Sequence, residues 1–356
     1  MTYSKIALSV FTAAAITLTG CGGGGSSDTP SAPKPKPTPE PSSELVGTIS
    51  ANKTLTADTQ WLLNGKVVVA SGVTLTIEPG TTIAGMEGTD AWLMVLSEAK
   101  LMANGTAANP IVFTSEAAIN GETEAPGQWG GVTIIGNSAN SQTGAYEVDD
   151  VTEAGTSGNT SGSLKYVVVN NSGIAVEVDK EINGLSLFGV SASTTVENIT
   201  TNRSGDDGVE IWGGTVNLKN VTIDGAQDDS FDTDSGWTGM VDGLTITNGK
   251  KAGIEMSGTT VGTYKNVNIT LDSADSEGGL YFKAGDGEVL GAVLENVNVV
   301  YNSAVKGAMS VHGDFDNANS SMTNVVLSGS NDAIVAKSSP DDDADVAEVQ
   351  AMYDAQ

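Results

Sequence analysis

Between Leu45 and Lys337 the chain shows almost no helical periodicity. Short runs of valine, isoleucine and threonine alternate with polar residues and are broken by turn residues about every 6 to 10 positions. Alternation with a period of two, bounded by glycine and asparagine, predicts many short strands, each with one buried face. The phrases "VENITT", "LKNVTI", "VDGLTI", "YKNVNI", "LENVNV" and "MTNVVL" align with one another. They place Asn198, Asn220, Gly243, Asn266, Asn296 and Asn324 in one column, at spacings of 22, 23, 23, 30 and 28 residues.

A second column follows the first. Its apolar positions hold Val209, Phe231, Ile254, Leu280, Met309 and Ile334, then Ile211, Thr233, Met256, Phe282, Val311 and Ala336. Only Thr233 is polar among them. A repeat of about 22 residues whose strands stack on their successors at about 4.8 Å predicts a right-handed parallel β-helix solenoid. At about 22 to 25 residues per coil, residues 45–337 allow roughly 12 coils. The asparagine column fits a turn at which stacked amides bond to one another along the solenoid.

Earlier coils read as less regular copies. "GKVVVASGVTLTIEPGTTIAG", "WLMVLSEAKLMANGTAANPIVFTS" and "GQWGGVTIIG" resemble a family of exported bacterial β-helix lipoproteins, mostly of unknown function. The resemblance implies the fold and says little about activity.

Residues 1–20 read as an export signal: Lys5, then the apolar run "IALSVFTAAAITLTG". The run ends in "LTGC", which resembles the lipobox of bacterial lipoproteins, and the resemblance implies that Cys21 carries the lipid. Gly22 follows where aspartate would favour inner-membrane retention, so the implied location is the outer membrane, with the anchored domain on its periplasmic or cell-surface side. Cys21 is the only cysteine, which excludes disulfides and cysteine metal sites within the chain. Residues 21–44 form a linker, flexible where glycine and serine dominate and extended where prolines alternate from Pro30 to Pro41. Residues 338–356 are either a short helical cap, through Val346, Val349 and Met352, or an acidic disordered tail.

The net charge is −28, with 44 acidic against 16 basic residues and one histidine. Such a surface repels nucleic acid, so none is expected as a partner. A divalent cation suits it better. The stretches "GDDGVEIWGG" and "QDDSFDTDSGW" place Asp206 and Asp207 one repeat before Asp228 and Asp229. The position between the apolar ones carries Glu210, Asp232 and Glu255 on three successive coils.

Like charges at that spacing repel by several kcal/mol at an effective dielectric of about 20. A cation, raised pKa values, a nearby base such as Arg203, or simple solvation would relieve them. The oxygen-rich set Asp206, Asp207, Asp228, Asp229, Asp232 and Asp234 points to calcium; its alternative is a solvated face of Asx turns.

"GDD" also resembles a fragment of the polygalacturonase signature, which implies acid and base roles for aspartates. Asp206, Asp207, Glu210, Asp228, Asp229 and Asp232 are then the catalytic candidates, for a polysaccharide hydrolase or lyase. The histidine and basic motifs of that signature are missing here. Trp212 and Trp237, with Glu255 nearby, suggest a platform for sugar rings; the alternative is packing beneath a loop. Three functions therefore stand side by side: a calcium-stabilised binding module for carbohydrate or a surface partner, a polysaccharide-degrading enzyme, and an adhesin or structural surface protein.

Overall fold

Asparagine tolerates the left-handed backbone region that bulkier residues avoid, and the fold uses this at every turn of its second half. Asn198, Asn220, Asn266, Asn296 and Asn324 have φ of 58°, 55°, 54°, 56° and 53°, and Gly243 fills the same place at 84°. Each sits inside one strand and bends it into two faces: Thr195–Asn202, Asn217–Asp224, Met240–Thr247, Val261–Leu271, Gly291–Tyr301 and Ser321–Ser328. The amides form the expected ladder. Asn220 donates to Asn198 at 3.1 Å, Asn296 to Asn266 at 3.2 Å and Asn324 to Asn296 at 2.9 Å. Where Gly243 interrupts, Asn266 reaches the Asp242 carboxylate instead, at 2.6 Å.

The computed structural model describes residues 42–138, 158–177, 180–285, 287–288, 290–329, 332–337 and 343–356. The expected export signal, Cys21 and most of the linker lie outside them. The first strand, Ser42–Ile49, begins slightly before the expected start of the domain.

A third face is built from short strands: Leu185–Phe188, Val209–Trp212, Phe231–Asp234, Ala252–Ser257, Gly278–Lys283, Met309–His312 and Ile334–Ala336. All pair in parallel, Val209 with Phe231 and Phe231 with Ile254. In the first half the two bent faces are separate strands. Lys100–Asn104 continues into Gly162–Lys165, and Ile111–Ser115 into Val167–Val169. The result is an all-β parallel solenoid of about 10 turns, fewer than the roughly 12 expected. The later coils run to 30 and 28 residues. A hairpin, Ile174–Glu177 with Lys180–Ile182, lies outside the three faces and adds no turn.

The inward columns form the core. Val209, Phe231, Ile254, Leu280 and Met309 are fully buried. Thr233, the polar member, shares a 2.7 Å hydrogen bond with the buried Tyr264 hydroxyl and donates to the Glu255 carbonyl at 3.1 Å, so its burial leaves nothing unpaired. The helix Asp343–Asp354 packs Val346, Val349 and Met352 against the core.

Candidate functional site

The outward positions of the short-strand face change character along the solenoid, and that change creates a groove. One register column runs Thr133, Ser186, Glu210, Asp232, Glu255, Tyr281, Ser310 and Val335. Two residues further along each strand, Ile135, Phe188 and Trp212 give way to Asp234, and beyond it Ser257 pairs with Lys283 and Lys283 with His312. The apolar members are roofed. Ile182 of the hairpin, Phe188, Trp92, Met94 and Ile135 pack around Trp212 in a second hydrophobic cluster. Where the column turns polar a groove of about 360 Å³ opens, lined by Glu210, Asp232, Asp234, Glu255, Lys283 and Glu288, with His312 at its far end.

Three carboxyls on adjacent strands form the floor, each in a different setting. Glu210 accepts from the Asn183 amide at 2.6 Å. Glu255 is paired with Lys283, 2.7 Å away. Asp232, between them, has one oxygen closed off from solvent and without a hydrogen-bond partner. Burial, then the neighbouring Glu255 and Glu210, push Asp232 well above the usual carboxylate range. Burial likewise raises Asp234. It works against the charge of Lys283, but Glu255 outweighs it and holds that ammonium above its ordinary value. The Tyr281 phenol is pushed up to about 12, by burial and then by Glu255 and Glu277. Its ring lies 4.8 Å from the ammonium of Lys337, which pairs with Glu277.

The six aspartates expected around one ion fall into separate groups. Asp206, Asp207 and Asp228 bring oxygens within 4.8 Å of one another, as do Asp229, Glu255 and Glu277; Asp232 and Asp234 line the groove. These acidic clusters could hold a metal, but as separate sites. Asp228 faces Lys251 Nζ at 2.5 Å, a partial neutralisation. Asp207 and Asp229 are raised by burial first and by neighbouring carboxylates after it. Both also work structurally. Asn183 Oδ1 accepts from Asp207 N at 3.1 Å, Asp207 from Asp229 N at 2.8 Å, and Asp229 from Ala252 N at 2.6 Å. The second aspartate of each pair therefore staples its coil to the next.

Three expectations need correction. Trp237 is fully buried in the core, donating to the Val216 carbonyl at 3.0 Å and edge-on to Phe231 and Tyr264. Room for the indole comes from Gly239 and Gly262, where a Cβ would meet it at 2.5 Å. Trp212 does face outward, but beneath the hairpin, its ring edge-on to Phe188 at 5.9 Å, and it offers no open platform. Arg203 pairs with Glu124 and donates to Asn171 at 2.8 Å, away from the aspartate pairs. Asn183, Lys283 and Glu288 carry no mark as site residues in the sequence, where His312 stands out only as the lone histidine. Lys283 and His312 were accessible in principle, each two places after an outward residue in its strand.

A parallel β-helix with an acidic groove on its short-strand face is thus the class that fold and site define. Residues 47–354 match the pectate-lyase-like β-helix domain family, and the chain belongs to it. No curated protein sequence matches significantly. Among solved structures, full-length tailspike protein 2 from Escherichia coli O157:H7 bacteriophage CAB120 is similar at 11% identity and a TM-score of 0.31, over 78% of this chain and 37% of that one. The enzymatically active domain of bacteriophage CBA120 tailspike protein 2 is similar at 13% and 0.31, over 76% and 47%. The chain spans less than half the length of either.

Proposed function

We propose that the protein is an exported, lipid-anchored β-helix that binds a saccharide chain in the acidic groove, with calcium at Asp206, Asp207 and Asp228 as a stabilising ion. One observation carries the reading. Asp232 places its carboxyl in the middle of a concave floor with one oxygen buried and unpartnered, and a sugar hydroxyl or amine in the groove would pair with the side of the group that faces it. Flanking carboxyls already held by Asn183 and Lys283 give the floor a fixed geometry. The concavity favours a saccharide over a flat protein partner.

Ser257 lines the same groove, and replacing it with tryptophan obstructs the site without altering a charge. The expected result on a panel of immobilised glycans is capture by the native protein and none by Ser257→Trp at an unchanged melting temperature. Capture that survives the obstruction, or a panel that captures nothing, sinks the reading.

Hydrolysis of the bound chain is a second reading, favoured by the raised Asp232 between two fixed carboxylates. Neighbours one strand apart lie near the roughly 5 Å of a retaining pair, and Glu210 and Glu255, two strands apart, in the inverting range. Release of reducing ends from a captured glycan, lost in Asp232→Asn, is its test.

A further inference from the structure

The charge on the saccharide follows from the charges of the groove. Five carboxyls line it, those of Glu210, Asp232, Asp234, Glu255 and Glu288, and Lys283 and His312 are the basic side chains among the described lining residues. Lys283 is committed to Glu255 at 2.7 Å. The Asn183 amide that holds Glu210 carries no charge. A polyuronate would set one carboxylate per sugar against one carboxyl per strand and would meet repulsion at each contact. A neutral sugar would hydrogen-bond to the Asp232 carboxyl and leave the surplus negative charge uncompensated.

Resting on the saccharide reading, we infer that the groove selects a cationic glycan, an oligosaccharide of free 2-amino sugars. The chemistry matches on three counts. An ammonium pairs with the Asp232 carboxyl, which lines the groove between Glu210 and Glu255. Ammonium groups repeated along the sugar chain face carboxyls repeated along the solenoid at about 4.8 Å. Among the described lining residues there is no phenylalanine, tyrosine or tryptophan and no aliphatic side chain larger than Ala284 to prefer the side chains of a peptide.

A proton is coupled to binding. Asp232 sits above the usual carboxylate range, and a bound ammonium stabilises its ionised form. The carboxyl O–H bond then breaks, the proton passes to the buffer and the sugar nitrogen stays protonated. This outcome separates binding from the hydrolytic reading, in which Asp232 must keep its proton to act as the acid.

The test is calorimetric titration of the full chain in detergent with a glucosamine hexamer, an N-acetylglucosamine hexamer, a galacturonic acid hexamer and hexalysine, at pH 6 in two buffers of different ionisation enthalpy. The glucosamine hexamer should bind about tenfold or more tightly than the acetylated one, weaken with salt and release protons, while the galacturonate hexamer should show no binding. Asp232→Asn should lose the proton release and about tenfold in affinity. Glu288→Gln, at the rim, should weaken binding without abolishing the release, which guards against a folding defect at Asp232. Equal or tighter binding of the acetylated or galacturonate hexamer overturns the inference and leaves the saccharide reading standing. Equal binding of hexalysine overturns the selection of a sugar. No binding by any saccharide removes both readings.

Discussion

The Asp207 carboxylate accepts the backbone N–H of Asp229, one coil further on, at 2.8 Å, although the two acidic groups repel one another. The acceptor is needed and the charge is not. Asp207→Asn keeps an oxygen in place and removes a repulsion, so in chelator, where no calcium contributes, its melting temperature should equal or exceed that of the native protein. Asp207→Ala leaves a backbone donor with no partner and should cost about 1 to 3 kcal/mol. Chemical denaturation of the two variants checks the ordering; equal losses would mean that the carboxylate charge is what matters.

Stability should also depend on pH in an uncommon direction. Burial, with help from neighbouring carboxylates, holds Asp207, Asp229 and Asp232 above their ordinary 3.8. The folded protein therefore retains protons that the unfolded chain has released. The stability these groups contribute is complete below about pH 4 and is lost as pH rises through their folded values. Lys251 and Lys283 are raised from 10.5 and stay charged throughout the acidic and neutral range. Melting temperature should rise between pH 8 and pH 5. It should do so less in a variant with asparagine at all three positions, and an unchanged slope in that variant would refute the assignment.

Calcium should stabilise through Asp206, Asp207 and Asp228, whose oxygens converge within 4.8 Å. An ion bound only by the folded state adds about 2.7 kcal/mol at a hundredfold excess over its dissociation constant. Magnesium should add less, since it tolerates irregular oxygen cages poorly. Thermal unfolding with calcium, magnesium or chelator is the measurement. The Asp206→Asn, Asp228→Asn pair should lose the calcium increment, and coincident native curves in all three solutions would leave these aspartates as a solvated face.

The membrane assignment rests on Cys21. Cells supplied with a fatty-acid analogue should label the native protein and leave Cys21→Ser unlabelled. Equal labelling of both would end it.

The parts of this architecture that the sequence exposed are those that repeat. Asn198, Asn220, Asn266, Asn296 and Asn324 recur because one backbone conformation recurs, and Phe231 meets Ile254 because strict alternation leaves no other register. The Glu210, Asp232 and Glu255 stack was legible for the same reason. What does not repeat stayed hidden. The hairpin that roofs Trp212 occurs once among the described residues, and Trp237 turns inward because two glycines from neighbouring coils clear its path, a match between positions 239 and 262 that no local pattern announces. The aspartate pairs were visible, but not the division of labour within them, since alternation breaks down at a turn.

The Gln356 side chain covers an edge of the last bent strand. A coil that ends in an unpaired strand invites another chain to continue it. Here the Gln356 side chain folds back on Ser321–Ser328, its oxygen accepting from Val325 N at 2.6 Å and its nitrogen donating to Val325 O at 2.9 Å, so both backbone groups of Val325 are satisfied. With Asp343–Asp354 laid over the same coils, through Val346, Val349 and Met352, the backbone edge and the apolar surface of the last described coil are both covered, which denies another chain an open strand to pair with there.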